Sequence, residues 1–183
     1  MLALPMPMRR RSLLAALALA PSAFGSAQAA SIDAPNFIPI SETLATSGQP
    51  SVAGLRALKA NGFDAVVYLA PLDVPGAVAD EPALLAAQGL EFVHIPIPFG
   101  KPTPAHLEEL ASALDRLRGR KVLVHCEINM RASTMVFLYR TIYLKEPPAA
   151  AYEFVARVWS PRGVWRRLVV DELARHQIEF EPY

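Results

Sequence analysis

The stretch Lys121-Val122-Leu123-Val124-His125-Cys126-Glu127-Ile128-Asn129-Met130-Arg131-Ala132-Ser133 constrains this chain more than any other. It reads as an apolar strand, a tight turn and the start of a helix. The only cysteine opens the turn and an arginine closes it. A strand–turn–helix junction aims several backbone N–H groups at one point, and the helix dipole adds positive potential there. A thiol at that point is pushed toward thiolate. An arginine at the far end of the turn can bind an oxyanion with its two-pronged fork. The stretch therefore predicts a site that holds or attacks a phosphate-like or sulfur-containing anion. The candidate binding groups are Glu127, Ile128, Asn129, Met130, Arg131 and Ala132, with Cys126 as nucleophile.

The first thirty residues read as an address rather than as fold. Arg9, Arg10 and Arg11 precede the apolar run Ser12–Ala20, and Ala27-Gln28-Ala29 has the form of an export cleavage site. Residues 1–29 are thus expected to be a cleaved signal peptide of ordinary or twin-arginine type, directing a bacterial protein to the periplasm. The apolar run is short of the ~20 residues that span a bilayer, so no stable anchor is expected after cleavage. Residues 30–183 are expected to form one domain. That segment holds 15 basic and 17 acidic residues, a net −2, and no basic run. A nucleic-acid surface is therefore not expected. One cysteine cannot form an internal disulfide, and a lone thiol in an oxidising compartment calls for a chemical reason. No His/Cys/Asp cluster has metal-ligand spacing, and neither metal nor cofactor is expected.

Along the chain, strands alternate with helices. Short pieces at 36–40 and 44–47 read as edge strands, with Pro39 unsuited to a central position. Ser51 caps a helix that ends at Asn61-Gly62. Asp64–Ala70 is a continuous apolar run, as in a buried parallel strand. Asp80-Glu81-Pro82 opens a helix that stops at Gly89. Phe92–Ile97 is a strand, and Thr103-Pro104 caps a helix that ends near Gly119. Lys121–His125 is the strand before the turn. Helical stretches follow at 135–144, 149–159 and 161–176, with a break at Pro147-Pro148. The expected fold is α/β: a mostly parallel central sheet with helices on both faces. Ligands in such sheets sit beyond the carboxyl ends of the strands, where the cysteine turn falls.

His125, Cys126, Arg131 and Ser133 resemble the His-Cys-x5-Arg-Ser/Thr loop of the cysteine-dependent tyrosine and dual-specificity phosphatases. The likeness is to a bacterial phosphatase-like branch that carries Thr-Ser-Gly-Gln-Pro, here Thr46–Pro50. His94-Ile95-Pro96 and the Thr103-Pro104 helix start match that branch in order, and the resemblance runs from about Asn36 to Leu144. It implies a phosphatase acting on phosphotyrosine or small phosphoesters, on a phosphorylated protein or a small molecule, through a phosphocysteine intermediate. It also implies that Ser133 donates to the sulfur in the second step. Only four residues separate Cys126 from Arg131, one fewer than usual. Asn129 stands where many such loops have glycine, and asparagine is the side chain that best tolerates a left-handed backbone. Four-residue spacing also occurs in rhodanese-type sulfurtransferases. The spacing leaves phosphoryl transfer, sulfur transfer and a non-catalytic oxyanion- or partner-binding module all open.

The resemblance implies a general acid about thirty residues before the cysteine, but Ile95–Lys101 holds no carboxylate. The candidates elsewhere are Asp73, on the loop after the earlier strand, and Asp80 or Glu81 at a helix start, each read in preference as a solvated turn or capping residue. Glu127 lies inside the turn, facing either a leaving group or solvent. His125 is read as a buried histidine that orders the turn, and His106 and His176 as exposed helix residues. Phe137, Tyr139, Tyr143, Trp159 and Trp165 are read as packing.

Overall fold

The computed structural model describes residues 32–183. The expected signal peptide, residues 1–29, lies outside the described residues. Strands β1 (Ile38–Pro39), β2 (Leu44–Ser47), β3 (Ala65–Tyr68), β4 (Glu91–His94) and β5 (Val122–His125) form one sheet in the order β1-β2-β5-β3-β4. Every neighbouring pair is parallel except β1 with β2. Pro39 sits on the outermost strand, where its missing N–H costs no ladder bond. Strand β2 is not the edge strand that its mixed composition suggested. It lies between β1 and β5, and its residues Ala45, Thr46 and Ser47 are buried.

Helices α1 (Val52–Ala57) and α2 (Glu81–Ala86) cover one face, closing a core of Leu55, Leu58, Val66, Leu85 and Leu123. Helices α3 (Pro104–Arg116), α4 (Met130–Ile142), α5 (Pro148–Ala156) and α6 (Gly163–Arg175) supply the larger core on the other face. The fold is the expected α/β sheet flanked by helices.

Local chemistry sets the boundaries. The Ser51 hydroxyl accepts from Gly54 N–H and starts α1. A 3₁₀ turn, Lys59–Asn61, then ends at Gly62 in the left-handed conformation. Thr103 caps α3, and the His106 ring accepts from the Thr103 N–H, so this histidine closes a capping box rather than standing free. Helix α4 starts at Met130, directly after the turn, and is buried from Arg131 to Ile142. A helix buried on all sides belongs in the middle of a packed layer, and α4 packs against α3, α5, α6 and the sheet. No helix of the described residues is long and apolar enough to cross a membrane.

Candidate active site

Strand β5 is central, so the turn that follows it emerges at the middle of the sheet's carboxyl edge. Both sides of the exit are pinned. Cys126 N–H donates to Ser47 O at 3.2 Å, and Leu69 N–H donates to His125 O at 2.8 Å. Cys126 itself is fully buried. Side chains alternate along a strand, which sends Leu123 to the α1–α2 core and Val122, Val124 and Cys126 to the other. His125 therefore faces away from the thiol, toward α2.

The turn is shaped by its carbonyls. Glu127 O accepts from Gln49 N–H at 2.9 Å, and Ile128 O accepts from the Asn36 side chain at 3.0 Å. Asn129 has φ 73° and ψ 0°, the left-handed conformation expected of it. Its Nδ2 donates to Asn36 O at 2.7 Å and to Thr46 Oγ1 at 3.1 Å. With the carbonyls drawn outward, the N–H groups of Glu127, Ile128, Met130, Arg131 and Ala132 find no acceptor among the described residues. Unpaired amides ahead of a helix are the physical basis of anion binding.

Arg131 is 4% exposed. Its Nε donates to Ile97 O at 3.0 Å and its guanidinium lies 5.1 Å from the Phe99 ring centre. The Trp165 indole N–H in turn holds Phe99 O at 2.8 Å. Neither Nη group makes a hydrogen bond among the described residues, and the Glu127 carboxylate stands 3.7 Å from Nη1. The fork is thus positioned from behind, and in front it meets only the loose ion pair with Glu127. The Ser133 hydroxyl donates to Met130 O at 3.3 Å, an ordinary back-bond of an early helical serine.

The 95–99 segment as a brace for Arg131 was not anticipated, because its hydrogen bond comes from the Ile97 carbonyl, which carries no residue signature, and the Phe99 ring reaches the guanidinium from 32 residues away. Nor was Glu81. It was read as a solvated cap, yet it is 2% exposed. Its Oε1 accepts from His125 Nε2 at 2.7 Å and its Oε2 from Gln49 Nε2 at 2.7 Å. Asp73 and Asp80 are exposed, as expected. The Tyr68 ring stacks on His125 at 4.6 Å between centroids, with His94 behind it at 5.4 Å. Burial, the Glu81 carboxylate and Cys126 together push the Tyr68 hydroxyl up to about 12, so it remains a donor, to Pro71 O.

No group of three or more His, Cys, Asp or Glu among the described residues could hold a metal ion. Two cavities of about 440 Å³ open near Leu117, Arg118 and Tyr139, at the opposite end of the sheet. Neither is lined by Cys126 or by any other residue of the turn, so the candidate site is the turn itself.

A thiol, a ring of unpaired amides and a braced arginine at the carboxyl edge of a parallel sheet define a hydrolase of the tyrosine and dual-specificity phosphatase type. The chain belongs to the family described as DSP-PTPase phosphatase fused to NAD+ kinase, whose model matches residues 31–161. A DUF442 protein of Shewanella putrefaciens CN-32, assigned as a phosphatase, is 27% identical with TM-score 0.71, over 78% of this chain and 91% of that one. Tk-PTP in its active form is 26% identical with TM-score 0.61, over 78% and 97%. P. aeruginosa TpbA, in complex with pTyr, shares the fold at 22% identity and TM-score 0.56, over 70% and 75%. A sequence comparison with curated proteins returns no match.

Proposed function

We propose that the protein hydrolyses phosphate monoesters through a phosphocysteine intermediate on Cys126, with aryl esters such as phosphotyrosine as the preferred class. The observation that carries this reading is the Cys126–Arg131 turn, with five N–H groups from Glu127 to Ala132 unpaired among the described residues and the Arg131 fork held in front only by a loose pair with Glu127. The thiolate attacks phosphorus, the S–P bond forms and the ester P–O bond breaks. The amides and Arg131 hold the equatorial oxygens and their growing charge. Water then attacks the phosphocysteine, phosphate departs and the thiolate returns. The leaving oxygen takes its proton from solvent: Glu81 has both oxygens engaged, Glu127 is paired with Arg131, and Asp73 and Asp80 make no hydrogen bond or ion pair with the turn among the described residues.

An apolar rim supports the aryl preference. Leu72, Ile128 and Phe99 are exposed on the segments that follow β3, β5 and β4, at the same edge as the turn. General acid catalysis is worth about 10²–10⁴-fold, so a site without an evident acid favours good leaving groups. TpbA, of the same fold, was crystallised with pTyr.

The test is phosphate release by the purified mature protein between pH 5 and 8. Nitrophenyl phosphate should be cleaved, alkyl phosphates at least about 100-fold more slowly, and Cys126→Ser not at all. Equal release by Cys126→Ser would reject the reading. We also propose, from Arg9–Arg11, the apolar run and Ala27-Gln28-Ala29, that the protein is exported to the periplasm. Mass analysis of the periplasmic form should place its N-terminus at Ala30, and an uncleaved cytoplasmic form would count against export.

A further inference from the structure

We propose that Glu81 is a positioning residue of the cysteine site, setting the reactivity of Cys126 from the far side of the sheet through His125 and Gln49. The inference rests on the phosphatase reading only for its kinetic readout. Glu81 opens α2, yet its carboxylate is buried and, among the described residues, no lysine or arginine forms an ion pair with it. A carboxylate in such a place is retained only if every oxygen is well paired, and here both are. His125 Nε2–H donates to one oxygen and Gln49 Nε2 to the other, each at 2.7 Å.

These two donors are the two anchors of the turn. His125 is the last residue of β5 and precedes the nucleophile. Gln49 uses its own N–H to hold Glu127 O, one residue past the nucleophile. One carboxylate therefore fixes the backbone on both sides of Cys126. An ionised carboxylate only accepts, so it also fixes the His125 tautomer with its proton on Nε2. Stacking on Tyr68 holds the ring plane. Nothing of Glu81 enters the anion site, so its effect passes through the geometry of the turn amides, which must stay converged to stabilise a thiolate.

Replacing the carboxylate with an amide keeps the shape and removes the charge. The amide can present either oxygen or nitrogen to His125, so the charge-assisted bond and the fixed orientation are both lost. Such bonds are worth about twice neutral ones. The titratable or charged groups around the pair and the thiol are Tyr68, His94, Glu127 and Arg131, and all remain in the variant.

The experiment compares wild type, Glu81→Gln and Gln49→Ala. The readouts are the melting temperature, kcat and KM on nitrophenyl phosphate, and the ultraviolet absorbance of the thiolate as pH is raised. Cys126 is the only cysteine, so below the pH at which tyrosines ionise that absorbance reports it alone. Glu81→Gln should fold, form thiolate at higher pH than wild type, and lose about 10–100-fold in kcat with KM little changed. Gln49→Ala should move the titration in the same direction by less. A folded Glu81→Gln protein whose thiolate titration is unchanged or moves to lower pH overturns the proposal. If Glu81→Gln does not fold, an unchanged titration in Gln49→Ala overturns it instead. Should wild type release no phosphate, the function proposed above fails, while the titration still decides the role of Glu81.

Discussion

Glu127 illustrates how the turn balances its charges. Its carboxylate, 34% exposed, is the anion nearest to Arg131 among the described residues, and on the proposed function a phosphate dianion would take its place. A partly exposed pair of this kind is worth about 0.2–1 kcal/mol, and a like charge beside the bound dianion adds a penalty. Glu127→Gln removes both. Inorganic phosphate should then inhibit about three- to tenfold more tightly, read as a competitive inhibition constant, and weaker inhibition would show that Glu127 helps binding. Asn129 carries a second residue-scale prediction. It combines a left-handed backbone with two side-chain hydrogen bonds. Asn129→Gly keeps the backbone and loses the bonds, whereas Asn129→Ala also meets the left-handed penalty of about 1–2 kcal/mol. Urea denaturation should find the alanine variant less stable by about 1 kcal/mol, and equal stability would mean that the bonds alone matter.

Between elements, the contact that decides the site is the approach of the segment after β2 to the turn after β5. Gly48 makes it possible. A Cβ there would lie 2.8 Å from Glu127 O and 3.0 Å from both Ile128 Cα and Pro35 Cβ, two of them backbone atoms that cannot yield cheaply. Gly48→Ala should therefore push β2 and the turn apart and lower kcat at least tenfold. Gly100→Ala, where a Cβ meets nothing within 4 Å, should leave both kcat and melting temperature unchanged. A Gly48→Ala protein with wild-type kcat would mean that the turn does not depend on this wall. The Ser-Gly-Gln segment was visible as a pattern, but its meaning was not. Apolar runs made β3 and β5 legible, Ser51 and Thr103 announced α1 and α3, and the cysteine turn placed the site. Local patterning fails where a polar residue is buried for a distant partner. Thr46 and Ser47 made β2 look peripheral, though Thr46 receives Asn129 across 83 residues. Asp80-Glu81-Pro82 has the composition of any helix start, and its partner His125 lies 44 residues on.

Across the whole molecule, the tyrosines set an alkaline limit. The chain has five, and all five are shifted upward. For Tyr68, Tyr139, Tyr143 and Tyr152 the first cause is burial, which disfavours the phenolate. Tyr183 differs, because its hydroxyl donates to the Glu153 carboxylate. Tyr68, Tyr139 and Tyr152 belong to the larger core, whereas Tyr143 and Tyr183 are exposed, so the alkaline limit rests on the first three. A group whose value is higher folded than unfolded binds its proton more tightly in the native state. Its stabilisation is complete below the unfolded value and is lost as pH rises through the folded one. For Tyr68 the window runs from 10.0 to about 12. A shift of that size corresponds to at most about 3 kcal/mol, a large part of the 5–15 kcal/mol typical of a domain. The urea midpoint should therefore hold up to about pH 10 and fall steeply above it, with phenolate absorbance appearing together with loss of structure. In Tyr68→Phe the fall should be shallower, since one of the linked protons is gone. Tyr68, Tyr139 or Tyr152 ionising near pH 10 in a protein still folded would show that the core admits water around these rings.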